Sequence, residues 1–180
     1  MKAVAIPPIV AGIVVDGISK LDGFLFEEAD SCPYCNGELR AHDIKQKKFA
    51  TIIENGSVRK ISVNVKRFRC RDCSRLVYAE SPFYEGIRMG APLVDFCTIN
   101  LRMHPANHIS KILKKMGILV NPSTIRSLSA ANHGEIAAIE FHEILFPLSL
   151  LNISEAAFNE KGNGNAMLLN LLNIRSNKRF

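Results

Sequence analysis

Tryptophan is absent from the chain of 180 residues, and aromatic residues together make up only 7% of it. A core must therefore be built mostly from aliphatic side chains, and stacking of successive bases on an aromatic platform is not expected. No long apolar run is available for a membrane span, which takes about 20 residues; the candidate nearest the start, Val4–Val15, is interrupted by Pro7 and Pro8. That stretch also lacks the charged head and cleavage site of a secretory leader. A cytoplasmic location is expected, nucleoid-associated in a prokaryote, with no membrane contact. Cysteine is scarce as well: there are five, and four of them fall into two pairs. Two disulfides would suit a secreted chain, and a redox motif would occur once beside a βαβ pattern that is missing here. What the chain does have is 47% apolar residues, enough for a packed core.

The two pairs are Cys32-Pro33-Tyr34-Cys35 and Cys70-Arg71-Asp72-Cys73, separated by 34 residues. Each Cys-x-x-Cys suits a tight knuckle whose backbone N–H groups point at sulfur. Four thiolates give zinc a closed tetrahedral shell, so the expected cofactor is a structural Zn2+ held by Cys32, Cys35, Cys70 and Cys73. Between the pairs a hairpin is legible: Lys47–Glu54, a turn at Asn55-Gly56, then Ser57–Phe68. Ile61, Val63 and Val65 alternate with Ser62, Asn64 and Lys66, the pattern of a half-buried strand. Phe68 is expected to pack against the metal site, and Phe49, Phe68 and Tyr78 to lie in the core.

Charge is concentrated in the same region. Residues 1–39 hold two basic and six acidic side chains, whereas residues 40–75 hold eleven basic and three acidic. A block so basic is the footprint of a polyanion-binding surface. Arg59, Lys60, Lys66, Arg67, Arg69 and Arg71 are the candidates for phosphate contact. The plainer reading of such a run is a solvated strand face.

Around this ribbon, residues 1–30 read as an extended apolar arm, because the prolines interrupt a helix and β-branched residues favour extended chain. The arm is expected to pack against the ribbon or a partner copy. A linker at Ser81–Gly86 and Gly90-Ala91-Pro92 leads into helical spacing at Leu93, Val94, Phe96, Cys97, Asn100 and Leu101. Cys97 reads as a small buried hydrophobe. A second helix, capped by Asn107, carries Ile109, Ile112, Leu113 and Met116 on one side and Lys111, Lys114 and Lys115 on the other, and ends at Gly117. Asn121 and Pro122 open a third. Helix, glycine turn and newly capped helix form a helix-turn-helix pattern, which places Ser123, Thr124, Arg126 and Ser127 at base edges. Arg126 is the candidate for a bidentate contact to guanine, and the three lysines for phosphates. Any three-helix bundle with a glycine turn would read the same way. His104, His108, His133 and His142 show no metal-ligand spacing, and His42 is superfluous beside four thiolates. Glu135–Phe146 reads as an amphipathic helix ended by Pro147, Ser154–Ala157 as the start of another, residues 161–165 as a break and 173–180 as a frayed basic tail.

Cys32-Pro33-Tyr34-Cys35, the strand Lys66-Arg67-Phe68-Arg69 running into Cys70-Arg71-Asp72-Cys73, Pro82-Phe83-Tyr84, and Gly117-Ile118 before Ser123-Thr124-Ile125-Arg126 together resemble the N-terminal part of insertion-sequence transposases of the archaeal type. The resemblance spans roughly residues 16–133 and implies recognition of double-stranded element-end DNA, with a second copy or a full-length transposase as further partners. Such proteins cut and join DNA in a downstream RNase H-like domain with three metal-binding acids. The 47 residues after position 133 are too few for it, so no enzymatic activity is expected, and a truncated copy is. The expected fold is α+β: a small β zinc ribbon at 31–80, a three-helix helix-turn-helix domain at 91–133, and a short helical segment and tail at 134–180. The alternatives are a free-standing zinc-ribbon transcriptional regulator and a zinc-stabilised module binding RNA or protein.

Overall fold

A computed structural model describes residues 6–128 and 134–153. Its centre is one long antiparallel hairpin. Asn55 (φ 50°) and Gly56 (φ 75°) both take left-handed conformations, the requirement of the two-residue turn whose twist matches the flanking strands. From it run β2 (Leu39–Glu54) and β3 (Ser57–Cys70), both longer than the expected strands. A short β1 (Leu25–Phe26) pairs with β3 in parallel, and β4 (Leu76–Tyr78) pairs antiparallel with its far end. Strand β2 is therefore an edge. Its register with β3 shifts twice, between Ala41 and Asp43 and between Lys48 and Ala50.

The N-terminal segment is not extended. Residues Pro8–Lys20 form helix α1, with Pro7 at the N-cap and Pro8 in the first turn. There a missing N–H breaks no intrahelical bond, so the two prolines begin the helix and leave the following residues free to continue it. Burial of Val14, Gly17 and Ile18 outweighs the β preference of the Val and Ile residues. The helix packs on the ribbon, where Ser19 Oγ donates to Glu54 Oε1 at 2.9 Å.

Residues 79–90 run along the core, with Ala79, Pro82, Met89 and Gly90 buried and Glu85, Gly86 and Arg88 exposed. They lead to α2 (Ala91–Asn100), which is buried nearly all round. Helix α3 (Ala106–Lys115) follows, with Pro105 at its N-cap, so Asn107 lies inside the helix and does not cap it. Gly117 (φ 81°) closes α3 as expected. Asn121 occupies the N-cap of the six-residue α4 (Pro122–Ser127) without a side-chain capping bond.

Glu135–Phe146 is not a helix. It contains β5 (Ala138–Phe141) and β6 (Ile144–Pro147), paired as a hairpin with His142 (φ 48°) and Glu143 (φ 64°) in its turn. Buried Asn100 at the end of α2 dictates this: its amide donates to Leu145 O at 2.8 Å and accepts from Leu145 N at 3.0 Å, as a neighbouring strand would. Short helix α5 (Leu148–Leu151) follows Pro147. Its Ser149 Oγ donates to buried Asp95 Oδ2 at 2.8 Å, and Tyr84 Oη donates to Asp95 Oδ1 at 2.6 Å. Burial pushes the Asp95 carboxyl up, against these two donors. The expected helix start at Ser154, the break at 161–165 and the tail at 173–180 lie outside the described residues.

One apolar cluster joins α1, the hairpin, α2, α3, α4, β6 and α5, from Val14 and Ile18 through Ile61, Val63 and Val65 to Phe96, Ile109, Leu113, Ile125 and Ile144. A second, small cluster holds Cys32, Cys70 and Val77 with Leu39 and Cys73 against it. Phe68 borders the first cluster and not the metal-side one. Phe49 is fully buried, but Tyr78 is 40% exposed and carries Lys47 Nζ 4.8 Å and the Arg67 guanidinium 5.8 Å from its ring centre. Cys97 is buried as expected, and burial pushes its thiol up to about 12. No helix among the described residues is long and apolar enough to cross a membrane.

Candidate metal centre and nucleic-acid interface

The two knuckles are built alike. In the first, Asn36 N donates to Cys32 O at 2.8 Å and Cys32 N to Gly37 O at 3.1 Å; in the second, Cys70 N donates to Arg75 O at 2.9 Å. The residue after the second cysteine of each pair is left-handed: Asn36 (φ 58°) and Ser74 (φ 60°). At Gly37 the second knuckle approaches closely: a Cβ there would lie 2.2 Å from Asp72 Oδ2 and 3.0 Å from Cys70 Sγ. Arg71 N donates to Glu38 O at 3.0 Å and ties the knuckles together.

This brings all four sulfurs within 4.8 Å of one another. Cys32 and Cys73 stand 3.6 Å apart, Cys35 and Cys70 3.5 Å. Metal–sulfur bonds of about 2.3 Å at tetrahedral angles separate sulfurs by about 3.8 Å, so the set can hold a metal ion with small adjustments. Among the described residues it is the one group of three or more potential ligands in mutual reach. The electrostatics agree. The Cys73 N–H draws the Cys70 thiol down to about 7. The Gly37 N–H pulls on Cys35 likewise, but the crowded sulfurs of Cys70, Cys73 and Cys32 outweigh it and push that thiol up to about 12. Four thiolates at this spacing repel, and a dication at their centre offsets that repulsion. Cys32 and Cys70 are buried while Cys35 is exposed, so the ion would sit near the surface.

The basic residues divide into two sets. Four of the expected phosphate contacts are held by carboxylates: Arg59 by Glu54 at 2.7 Å and Asp22 at 2.9 Å, Lys66 by Glu27 at 3.3 Å, Arg71 by Glu38 at 2.8 Å, and Arg67 by Asp43 through two short hydrogen bonds. The Arg67 guanidinium holds the Asp43 carboxyl below its usual range. Lys60 and Arg69 are exposed and form no ion pair among the described residues.

On the helices, Lys111, Lys114 and Lys115 are exposed, opposite buried Ile109, Ile112 and Leu113. Ser123, Thr124, Arg126 and Ser127 are exposed on α4, with Ile125 and Leu128 turned inward. Arg126 Nη1 makes a long 3.5 Å contact to Asn107 Oδ1 on α3. The turn between α3 and α4 is fastened to the ribbon's edge: Ile53 N donates to Gly117 O at 2.7 Å and Leu119 N to Thr51 O at 2.8 Å. Between this turn, α4, the loop 85–89 and β2 lies an open cleft of about 1080 Å³, whose rim includes Lys48, Thr51, Arg88, Thr124 and Ser127 together with Glu85. Lys48, Thr51 and Arg88 were not legible as site residues, since only the fold brings β2 and the 85–89 loop beside α4. No protein-family model matches the chain, and no match was found among curated proteins or solved structures.

Proposed function

We propose that this chain binds double-stranded DNA through a zinc-held ribbon and a helix-turn-helix, as the DNA-recognising part of a transposase-like protein, and that it positions DNA and does not cut it. The observation that carries the reading is the helix pair α3–α4. Its second helix buries Ile125 and Leu128 and leaves Ser123, Thr124, Arg126 and Ser127 in solvent, while the first exposes Lys111, Lys114 and Lys115. Polar side chains of the second helix facing outward, flanked by lysines of the first, are what groove reading and phosphate positioning need. Zinc fits the four-thiolate set because it accepts tetrahedral sulfur without redox chemistry. Bound, it would hold the two knuckles in register.

The test is equilibrium binding to a random duplex across a salt series, followed by selection of a preferred site. Affinity should fall with log[salt] at about 0.9 per phosphate contacted. Arg126→Ala should cost about 1–3 kcal/mol of discrimination at one base position, and Lys114→Ala should weaken all sequences equally. Binding that ignores salt would sink the proposal.

A further inference from the structure

Which part of the ribbon meets the nucleic acid follows from the two faces of its hairpin. Directly opposed residues share a face. Even-numbered residues of β3 pair with one set on β2: Lys60 with Thr51, Ser62 with Lys48, Asn64 with Gln46 and Lys66 with Ile44. Ile61, Val63 and Val65 point the other way and are fully buried. The even face is therefore the outer one. It carries Lys48, Lys60 and Lys66 among Ser, Thr, Asn and Gln side chains, and Ile44 upon it is 57% exposed.

No carboxylate of either strand lies on this face. Strand β3 has none, and the two on β2, Asp43 and Glu54, stand opposite odd-numbered Arg67 and Ser57. They are engaged there by Arg67 and Arg59. Glu27, just past β1, neutralises Lys66 from the side, which leaves Lys48 and Lys60 as the charges on this face with no ion pair among the described residues. Lys48 also lines the cleft that Thr124 and Ser127 of α4 line. Arg88 adds a second cation to that lining and Glu85 a single anion.

We infer that the outer face of the hairpin is a docking surface for the phosphodiester backbone of a duplex, with Lys48 and Lys60 on phosphates and the backbone continuing past Thr124 and Ser127. This deepens the DNA-binding reading and rests on it. It moves the ribbon's contribution away from Arg59, Arg67 and Arg71, whose charge is already spent on carboxylates, toward a face free of strand carboxylates, where lysines and polar side chains stand beside exposed Ile44 and Val58 and the charge is complementary to phosphate. Rigid attachment of the α3–α4 turn to Thr51 and Ile53 makes hairpin face and α4 one continuous reader.

The experiment is a salt titration of duplex binding with three proteins: unmodified, Lys48→Gln/Lys60→Gln, and Asp43→Asn/Arg67→Gln, which removes an ion pair as a unit. Loss of two phosphate contacts should reduce the log–log salt slope of the lysine variant by about 1.8, at about 0.9 per phosphate. The ion-pair variant should keep the original slope. Lysine methylation of the unmodified protein gives a readout independent of substitution: bound duplex should protect Lys48 and Lys60 and leave Lys20 reactive. An unchanged slope in the lysine variant, or unprotected Lys48 and Lys60 in a complex that still forms, would overturn this inference while leaving DNA binding standing. Salt-independent behaviour of the unmodified protein would overturn both.

Discussion

At the scale of single residues, a few atoms decide a great deal. Asp95 is 4% exposed, and among the described residues Tyr84 and Ser149 are its donors. Because burial pushes its carboxyl above the ordinary carboxylate range, the folded state holds this proton more tightly than the unfolded chain. Its contribution is fully present below the unfolded value and is lost as pH rises through the folded one. Asp95→Asn should therefore remove a stability loss that the unmodified protein suffers as pH rises from the ordinary carboxylate range, about pH 4, toward neutral, visible in urea unfolding at the two ends of that range. A variant with an unchanged pH slope would show that Asp95 is not the titrating group. Asp22, Asp43 and Glu54 run the opposite way: their partners lower their pKa, so their stabilisation is present at neutral pH and fades on acidification. Glycines separate by what a methyl would strike. At Gly90 a Cβ would lie 2.4 Å from the buried Phe49 ring, which cannot yield. Gly90→Ala should cost about 1–3 kcal/mol in chemical denaturation. Gly37→Ala meets chiefly the mobile end of exposed Asp72 and should cost less overall, its effect concentrated in metal affinity.

At the scale of elements, α1 is the instructive case. Its residues pointed to extended chain, yet Pro7 and Pro8 sit where helices accept proline, and the buried stripe through Val14 and Ile18 holds the rest. Ile18→Ala should destabilise by about 2–5 kcal/mol, whereas Ile9→Ala, at a position 73% exposed, should stay within about 0.5 kcal/mol. Equal effects in thermal melts would mean that the helix is not docked as described. The β5–β6 hairpin makes the same point in reverse. Ile136, Ile139, Phe141 and Leu145 approximate a helical stripe, and nothing local announces that Asn100, some 45 residues away, offers both halves of an amide to Leu145. The ribbon hairpin was readable in advance because Asn55-Gly56 determines its own turn and the Ile61–Val65 alternation determines its faces.

For the molecule as a whole, the two apolar clusters predict how metal removal propagates. The knuckles belong to the small cluster with Leu39 and Val77, while the hairpin's other end belongs to the large one. Chelation should accelerate amide exchange at Cys70 and Arg71, which bond within and between knuckles, and leave Ile53 and Asn64 protected through Gly117 and Phe24. Elemental analysis should return about one zinc per chain before chelation, the stoichiometry of a four-thiolate site. Uniform exchange across both ends would show that the clusters unfold as one.

What the sequence determined by itself was whatever is local or carried by repeated spacing. Two Cys-x-x-Cys pairs, the Asn-Gly turn, the alternating strand and the glycine-closed, proline-opened helices each encode their geometry within a few residues, and each appears where it was expected. Tertiary structure alone decided which charges are spent on carboxylates and which face carries the rest. From the turn outward Glu54 pairs with Ser57 and Thr51 with Lys60, a register that continued unbroken would set Lys48 opposite Val63 on the buried face. Instead a bulge at Phe49 sends that ring into the core against Gly90, whose N–H donates to Phe49 O at 2.9 Å. The shift sets Lys48 opposite Ser62, on the solvent side. The bulge is maintained by contacts some forty residues away in the chain, and a period of two has no means of recording them.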